Sequence, residues 1–421
     1  MIKKPRGTKD IYGLDDAIYR TIFQTFEQLA KAYNIKKITT PAFELLELFR
    51  DANGETSDIV TKEIYKFKDY NDRDLALKPE GTAPVGRAIL ENKLYTKKEF
   101  NKLYYIDSMF RYEKPQKGRL RQFYQIGVEL TNELNVNSII DSIVLANSLL
   151  KKLKIHNYVL NINSIGNIEN RKEYIEELKR YFRKYKNKLS AISQERIEIN
   201  PLRILDDKED SKLNIVQNAP KICDFYSTET KKEFESVLKT LDELNIKYEI
   251  NYSLVRGLDY YSNIVFEFVS QSEALGTKAT IIGGGCYLNL IKNEGNNVIN
   301  GVGFGVGVER LFEIIKFEQK FNELKSNIDV NFLIENNEQY QKIYSLIYNL
   351  RENGVVVEYN YKIRKFKKLL DEALKQKSKI IVFQELKQQN TNNWTIKENG
   401  KNIEVNLENL NDKINELLQG K

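Results

Sequence analysis

The stretch Phe110–Glu129, FRYEKPQKGRLRQFYQIGVE, limits the architecture more than any other part of the chain. Two runs of alternating pattern meet in it. Tyr105, Asp107, Met109 and Arg111 share one face of the first, and Phe123, Gln125, Gly127 and Glu129 share one face of the second, because side chains alternate along a strand. Between them Glu113–Arg121 carries Lys114, Lys117, Arg119 and Arg121 with one Pro and one Gly. Hairpin connections usually run to about two to five residues, so a nine-residue basic loop points to a function. The pattern predicts a sheet-borne polar pocket (Arg111, Gln125, Glu129) beneath a loop suited to polyphosphate or nucleic acid.

Composition narrows the chemistry. A chain of 421 residues, 41% apolar and 30% charged, can bury a sizeable core and is expected to hold two or three domains. No apolar run approaches a membrane span, and the start, MIKKPRGTKD, lacks the apolar stretch of a signal peptide. Cys223 and Cys286 are the only cysteines, too few for a disulfide framework, so a reducing cytoplasm is the expected location. The single histidine, His156, excludes HExxH and multi-His metal sites, and no Ser–His–Asp set is evident around it. Carboxylates, arginines and backbone must carry any catalysis. The net charge of +7 permits a nucleic-acid partner without requiring one.

Along the chain, residues 1–13 read as an extended lead-in with Pro5, Gly7 and Gly13. Asp15–Tyr33 reads as a helix, with Ile18, Ile22, Phe26 and Leu29 at helical spacing and two acids at its positive end. Ile38–Phe43 is a short strand broken by Pro41, which suits an edge or an interface. Ile64–Phe67 is strand-like and is followed by LKPEGT, Leu77–Thr82. Asn137–Leu153 is a predicted helix, and Gly166 to about Leu244 is mostly amphipathic helix interrupted at Asn200–Asp210. Strands return at Tyr248–Tyr252 and Ile264–Val269. From about Ser326 the pattern alternates: strand Ile328–Ile334, helix Gln339–Asn353, strand Val355–Tyr359, basic helix Lys365–Lys375, strand Ile380–Phe383. A hairpin turning at Asn399-Gly400 and a final helix complete a small α/β domain.

Several segments carry chemistry or mere packing with similar ease. GVGFGVGVERL, Gly301–Leu311, matches neither GxxxxGK[ST] nor GxGxxG. Its alternation predicts a strand with glycines on one face, where a flat ligand or another backbone lies close, followed by a helix starting at Glu309 and Arg310. LVRGLDYYSNIVFEF sets Arg256 and Asp259 beside Tyr260 and Tyr261; adjacent tyrosines usually divide between core and surface. His156 reads as a boundary residue between a helix and a strand.

The order of these segments resembles the histidyl-tRNA synthetases of class II over nearly the whole chain. PRGTKDIYG (Pro5–Gly13) is similar to that family's opening, and the helix and strand ending at Pro41 to class II motif 1. GETSDIVTKEIYKF (Gly54–Phe67) and LKPEGTAP (Leu77–Pro84) fit in spacing. FRYEKPQKGRLRQFYQIGVE corresponds to motif 2 and GVGFGVGVERL to motif 3, while NPLRILDDK falls in the helical region. LVRGLDYY is the element that marks histidyl enzymes. Departures are Cys286, Leu288 and Asn289 in GGGCYLNL, where the family carries GGGRYDGL, and Lys78 where Arg is usual. The Lys keeps the charge but loses bidentate geometry.

The resemblance implies an α+β catalytic domain on a mostly antiparallel sheet with a helical insertion (1–325, insertion about 166–244), and a C-terminal α/β anticodon-binding domain (326–421). It implies a histidine–tRNA ligase that forms histidyl-adenylate from L-histidine and ATP, with Mg²⁺ accompanying the ATP, then charges the 3′ end of its tRNA. Implied catalytic residues are Arg111 and Arg256. Histidine would be held by Glu80, Thr82, Gln125, Glu129, Tyr260 and Tyr261, and ATP by Arg111, Glu113, Arg119, Arg121 and Arg310. No protein-held metal is expected, and motif 1 implies a homodimer. The rival expectation is the non-catalytic, synthetase-like regulatory subunit of histidine biosynthesis; such paralogues typically lack the C-terminal domain, the arginines and LVRGLDYY.

Overall fold

A computed structural model describes residues 2–54, 59–205, 207, 209–255, 260–276, 278–292, 297–319, 328–385, 388 and 391–419. The chain divides into two compact units, Met1–Phe321 and Asn322–Lys421.

The first unit opens with helix α1 (Leu14–Ala32) and the short strands β1 (Lys36–Lys37) and β2 (Phe43–Leu45). Helix α2 (Leu46–Asn53), strands β3 (Lys66–Lys68) and β4 (Asp74–Leu77) and helix α3 (Thr82–Glu91) follow. Then come the long hairpin strands β5 (Lys102–Phe110) and β6 (Gln122–Thr131), helix α4 (Val136–Lys152) and strand β7 (Tyr158–Ser164). Five helices run on from there: α5 (Ile168–Lys184), α6 (Ala191–Ile199), α7 (Leu202–Leu205), α8 (Asn214–Gln217) and α9 (Thr228–Glu243). Strands β8 (Tyr248–Ile250), β9 (Tyr261–Ser270), β10 (Ala279–Tyr287) and β11 (Gly301–Gly307) lead into helix α10 (Val308–Glu318).

Eight of these strands form one sheet in the order β1-β5-β6-β11-β10-β9-β7-β8. The six central strands pair antiparallel, and only the edge strands β1 and β8 pair parallel to their neighbours. The two faces differ. Ile126, Val128 and Leu130 of β6 point into a core with Ile18, Ile22 and Phe26 of α1, Ile143 and Leu149 of α4, Val237 of α9 and Leu311 of α10. Their odd-numbered neighbours face the other side, which helices α2 and α3 cover only in part. That side carries the cavity. Helix α4 begins at a capping box in which Asn135 and Ser138 exchange hydrogen bonds, satisfying two otherwise orphaned N–H groups. Helices α5 to α8 have a core of their own around Tyr174, Leu178, Phe182 and Ile204.

The strand expected at Ile38–Phe43 is corrected. Pro41 lies between two strands of different sheets: β1 pairs with β5, while β2 joins β4 and β3 in a separate three-stranded sheet. A residue without an N–H marks the crossing point. The Gly-rich segment IIGGGCY (Ile281–Tyr287) forms the body of β10.

In the second unit, strands β12 (Val330–Phe332), β13 (Val357–Tyr359), β14 (Ile380–Phe383), β15 (Asn393–Glu398) and β16 (Lys401–Asn406) form one sheet in the order β13-β12-β14-β15-β16. Helices α11 (Asn337–Glu352) and α13 (Leu407–Gln419) contribute Ile343, Ile347, Leu410 and Ile414 to one face. Helix α12 (Phe366–Lys375) contributes Leu369 and Ala373 to the other. The hairpin turns at Asn399 and Gly400, with φ of 47° and 81°, the left-handed pair that a two-residue turn requires. The expected strand Ile328–Ile334 shortens to its middle, Val330–Phe332.

Candidate active site

The cavity on the open face encloses about 180 Å³. Its floor is made by missing side chains. Gly283 and Gly285 of β10 and Gly303, Gly305 and Gly307 of β11 all line it, as the alternation in GVGFGVG predicts. A Cβ on Gly305 would stand 2.7 Å from Gln125 Nε2, and one on Gly303 would land on Glu129 Oε2. Gly81 and Gly127 similarly vacate the space that the ring of Tyr105 fills.

One wall is a carboxylate–hydroxyl chain. Glu80 accepts from the backbone N–H groups of Thr82 at 2.5 Å and Ala83 at 3.0 Å, at the N-terminus of α3, where the helix dipole favours an anion. The Thr82 hydroxyl donates to Glu129 Oε1 at 2.8 Å. Glu129 is 2% exposed and its Oε2 has no hydrogen-bond partner. Burial pushes its carboxyl up to about 8; the hydroxyl of Thr82 opposes this, and the charge of Glu80 adds to it. Burial also raises Glu80, against the pull of its backbone donors and of Arg111. Thr82 thus links the two buried carboxyls, its backbone N–H to Glu80 and its hydroxyl to Glu129. Tyr105 donates to Gln125 Oε1 at 3.2 Å, leaving the Gln125 amide group turned to the glycine floor.

A cationic wall adjoins it. Arg111 donates through Nε to Pro79 O at 2.8 Å, and its guanidinium lies 5.4 Å from the Phe123 ring centre. Glu113 is buried and pairs with Arg119, with Arg111 3.9 Å away. Arg310 donates to Thr280 O at the cavity edge. The basic loop bends back over this wall, with Gly118 against Arg310 and Leu275.

Of the expected site residues, Glu80, Thr82, Arg111, Glu113, Arg119, Gln125, Glu129, Tyr260, Tyr261 and Arg310 all line this one cavity. Both tyrosines are buried, with ring centres 4.7 Å apart, so the expectation of one core and one surface residue is corrected. Tyr260 precedes the first residue of β9 and escapes strand alternation. Arg121, the last residue of the basic loop, is not among the lining residues; its guanidinium lies 4.0 Å over the Tyr112 ring and its Nε donates to Glu113 O at 3.2 Å. Arg256 and Asp259 lie outside the described residues. His156 is an exposed boundary residue between α4 and β7.

Sequence reasoning gave no role to Tyr105, Phe123 or Glu309, which also line the cavity. Tyr105 and Phe123 stood on the right strand faces, and Gly127 opposite Tyr105 was the signal that a ring needed room. Glu309 accepts from Tyr124 N at 2.9 Å, and burial pushes its carboxyl up to about 7.

A family model described as histidyl-tRNA synthetase matches residues 7–311. A histidine--tRNA ligase of Malacoplasma penetrans is 42% identical over 424 residues, covering 100% of this chain and 99% of that protein. One of Ureaplasma urealyticum serovar 10 is 48% identical over 332 residues, 79% of this chain and 78% of its own. Among solved structures, apo histidyl-tRNA synthetase of S. aureus superposes with a TM-score of 0.82 at 30% identity, covering 98% of this chain and 100% of that one.

Proposed function

The chain belongs to the histidyl-tRNA synthetase family, and from that premise we propose how its residues divide the work of a histidine–tRNA ligase. The enzyme joins L-histidine to its tRNA at the expense of ATP, as its relatives' shared name across the full chain indicates. The regulatory-subunit reading is not favoured. The observation that carries the division of labour is the cavity itself: carboxylates, hydroxyls, guanidinium groups and glycines meet in one lining.

In the first step a carboxylate oxygen of histidine attacks the α-phosphorus of ATP, and the bond to the pyrophosphate oxygen breaks. The nucleophile is already ionised, so alignment and charge neutralisation supply the catalysis. Arg111, anchored by Pro79 O and Phe123, bridges the carboxylate and the α-phosphate. Arg256 is assigned to the same charge from the other side. Arg119 exchanges Glu113 for the distal phosphates, Arg310 covers the adenine, and Mg²⁺ arrives with ATP as part of the substrate. Arg121 holds the shape of the loop.

Glu80, Thr82 and Gln125 receive the α-ammonium of histidine, and Glu129 with Tyr260 or Tyr261 receives the imidazole. An acceptor such as Glu129 Oε2, buried and without a partner, stays unsatisfied by any side chain lacking an N–H there, which is how polar sites reject analogues. A hydroxyl of the 3′-terminal ribose of the tRNA then attacks the histidyl carbonyl, and the acyl–phosphate bond breaks to release AMP. Residues 1–325 serve as catalytic domain with the helices of about 166–244 as its insertion, and 326–421 as the anticodon-binding domain. Motif 1 supports a homodimer, and the cysteine usage supports a cytoplasmic location. ATP–pyrophosphate exchange against a panel of amino acids tests the reading; exchange driven by another amino acid, or by none, overturns it.

A further inference from the structure

The turn Pro5–Lys9 touches both sides of the cationic wall. Its Thr8 closes it by donating through N and Oγ1 to Pro5 O at 3.3 and 2.8 Å. At its apex the Gly7 carbonyl accepts from Arg121 N at 2.8 Å and from Gln122 N at 3.3 Å. Those are the last residue of the basic loop and the first of β6. Arg121 in turn holds the loop's other limb, through Tyr112 and the carbonyl of Glu113. At the far end of the turn Lys9 Nζ lies 3.9 Å from the centre of the Phe312 ring and 2.8 Å from Asp15. Phe312 sits on α10, two residues beyond Arg310.

We propose that the N-terminal turn Pro5–Lys9 is a positioning element of the ATP site, with Gly7 fixing the base of the basic loop and Lys9 fixing the helix that carries Arg310. Only glycine fits the apex. Gly7 has φ of +85°, and a Cβ there would stand 2.7 Å from Arg121 Cγ and 2.9 Å from its Cδ. A side chain would push Arg121 away, and with it the backbone of Glu113 and the approach of Arg119. Lys9 acts differently, through a cation–ring contact that ties the turn to α10. Neither residue lines the cavity, so both act through others. The inference rests on the assignment of Arg119 and Arg310 to ATP.

The test is ATP–pyrophosphate exchange with the full-length protein, measuring KM for ATP and for histidine separately, with melting temperature as control. Gly7→Ala is expected to raise the ATP KM about tenfold, the scale of a misplaced binding group, and to leave the histidine KM within about twofold. Lys9→Met, which spares the strained backbone, should raise the ATP KM several-fold, and Lys9→Arg should restore it. Unchanged ATP KM in folded Gly7→Ala and Lys9→Met overturns the proposal, as does an equal rise in both KM values. If Gly7→Ala does not fold, Lys9→Met and Lys9→Arg decide alone. Loss of histidine-dependent exchange in the wild type would strike the functional assignment instead.

Discussion

The hydroxyl of Thr82 lies 2.8 Å from Glu129 Oε1, so the first residue of α3 and the inner end of β6 are joined by one hydrogen bond inside the cavity. Thr82→Val keeps the shape and removes the donor. An unsatisfied buried acceptor costs about 1–3 kcal/mol, so the histidine KM should rise by one to two orders of magnitude with little change for ATP. Equal effects on both substrates in exchange kinetics would contradict this.

Glu129 makes the protein's stability depend on pH in a definite direction. Its carboxyl is raised to about 8 in the folded state, against an ordinary value of about 4.3. Between these, the folded protein keeps a proton that the unfolded chain has released. Stability therefore falls as pH rises through this window and levels off above about 8. Glu129→Gln removes that contribution. Urea midpoints measured near pH 5 and pH 8.5 should separate less in the variant than in the wild type; identical separations would refute the assignment.

Gly305→Ala places a methyl group 2.7 Å from Gln125 Nε2 and meets little else, whereas a Cβ on Gly307 finds nothing nearer than 3.8 Å. The first substitution should weaken histidine binding about tenfold, the second hardly at all, since overpacking acts only where the neighbour is close. Isothermal titration with histidine distinguishes them, and similar affinities for both variants would remove Gln125 from the histidine site.

Lys78 is 1% exposed, and its ammonium spends its donors on Thr40 O, Thr40 Oγ1 and Asp107 Oδ2 at 3.0, 3.3 and 2.5 Å. Removing one member of a buried pair costs about 3–5 kcal/mol; because Asp107 is partly exposed, about 2–3 kcal/mol is expected for Lys78→Met. Urea denaturation measures it, and a loss below about 1 kcal/mol would show that the pair is solvent-relieved.

Much of this site was legible before any coordinates. Period-two patterns place Gln125 and Glu129 on one face and glycines opposite, and this needs no knowledge of the partner strands. What pattern reading lacks is sheet membership: Ile38–Phe43 reads as one strand, whereas the chain there leaves β1 in one sheet and enters β2 in another. It also lacks the point where a strand begins. One residue's difference at Tyr261 decides whether Tyr260 obeys alternation, and that is why both rings reach the cavity. Side-chain contacts are a third gap: the charge of Arg121 on the loop is visible in the sequence, but the ring of Tyr112 beneath it is not.

His156 is the chain's one histidine and lies exposed between α4 and β7, away from the cavity lining. A protein that handles imidazole thus contributes a single imidazole of its own to any spectrum. With isotopically labelled histidine, the substrate ring can be followed into the bound state with one protein imidazole to compare it with. The protonation and tautomer of histidine beside Glu129 become directly observable.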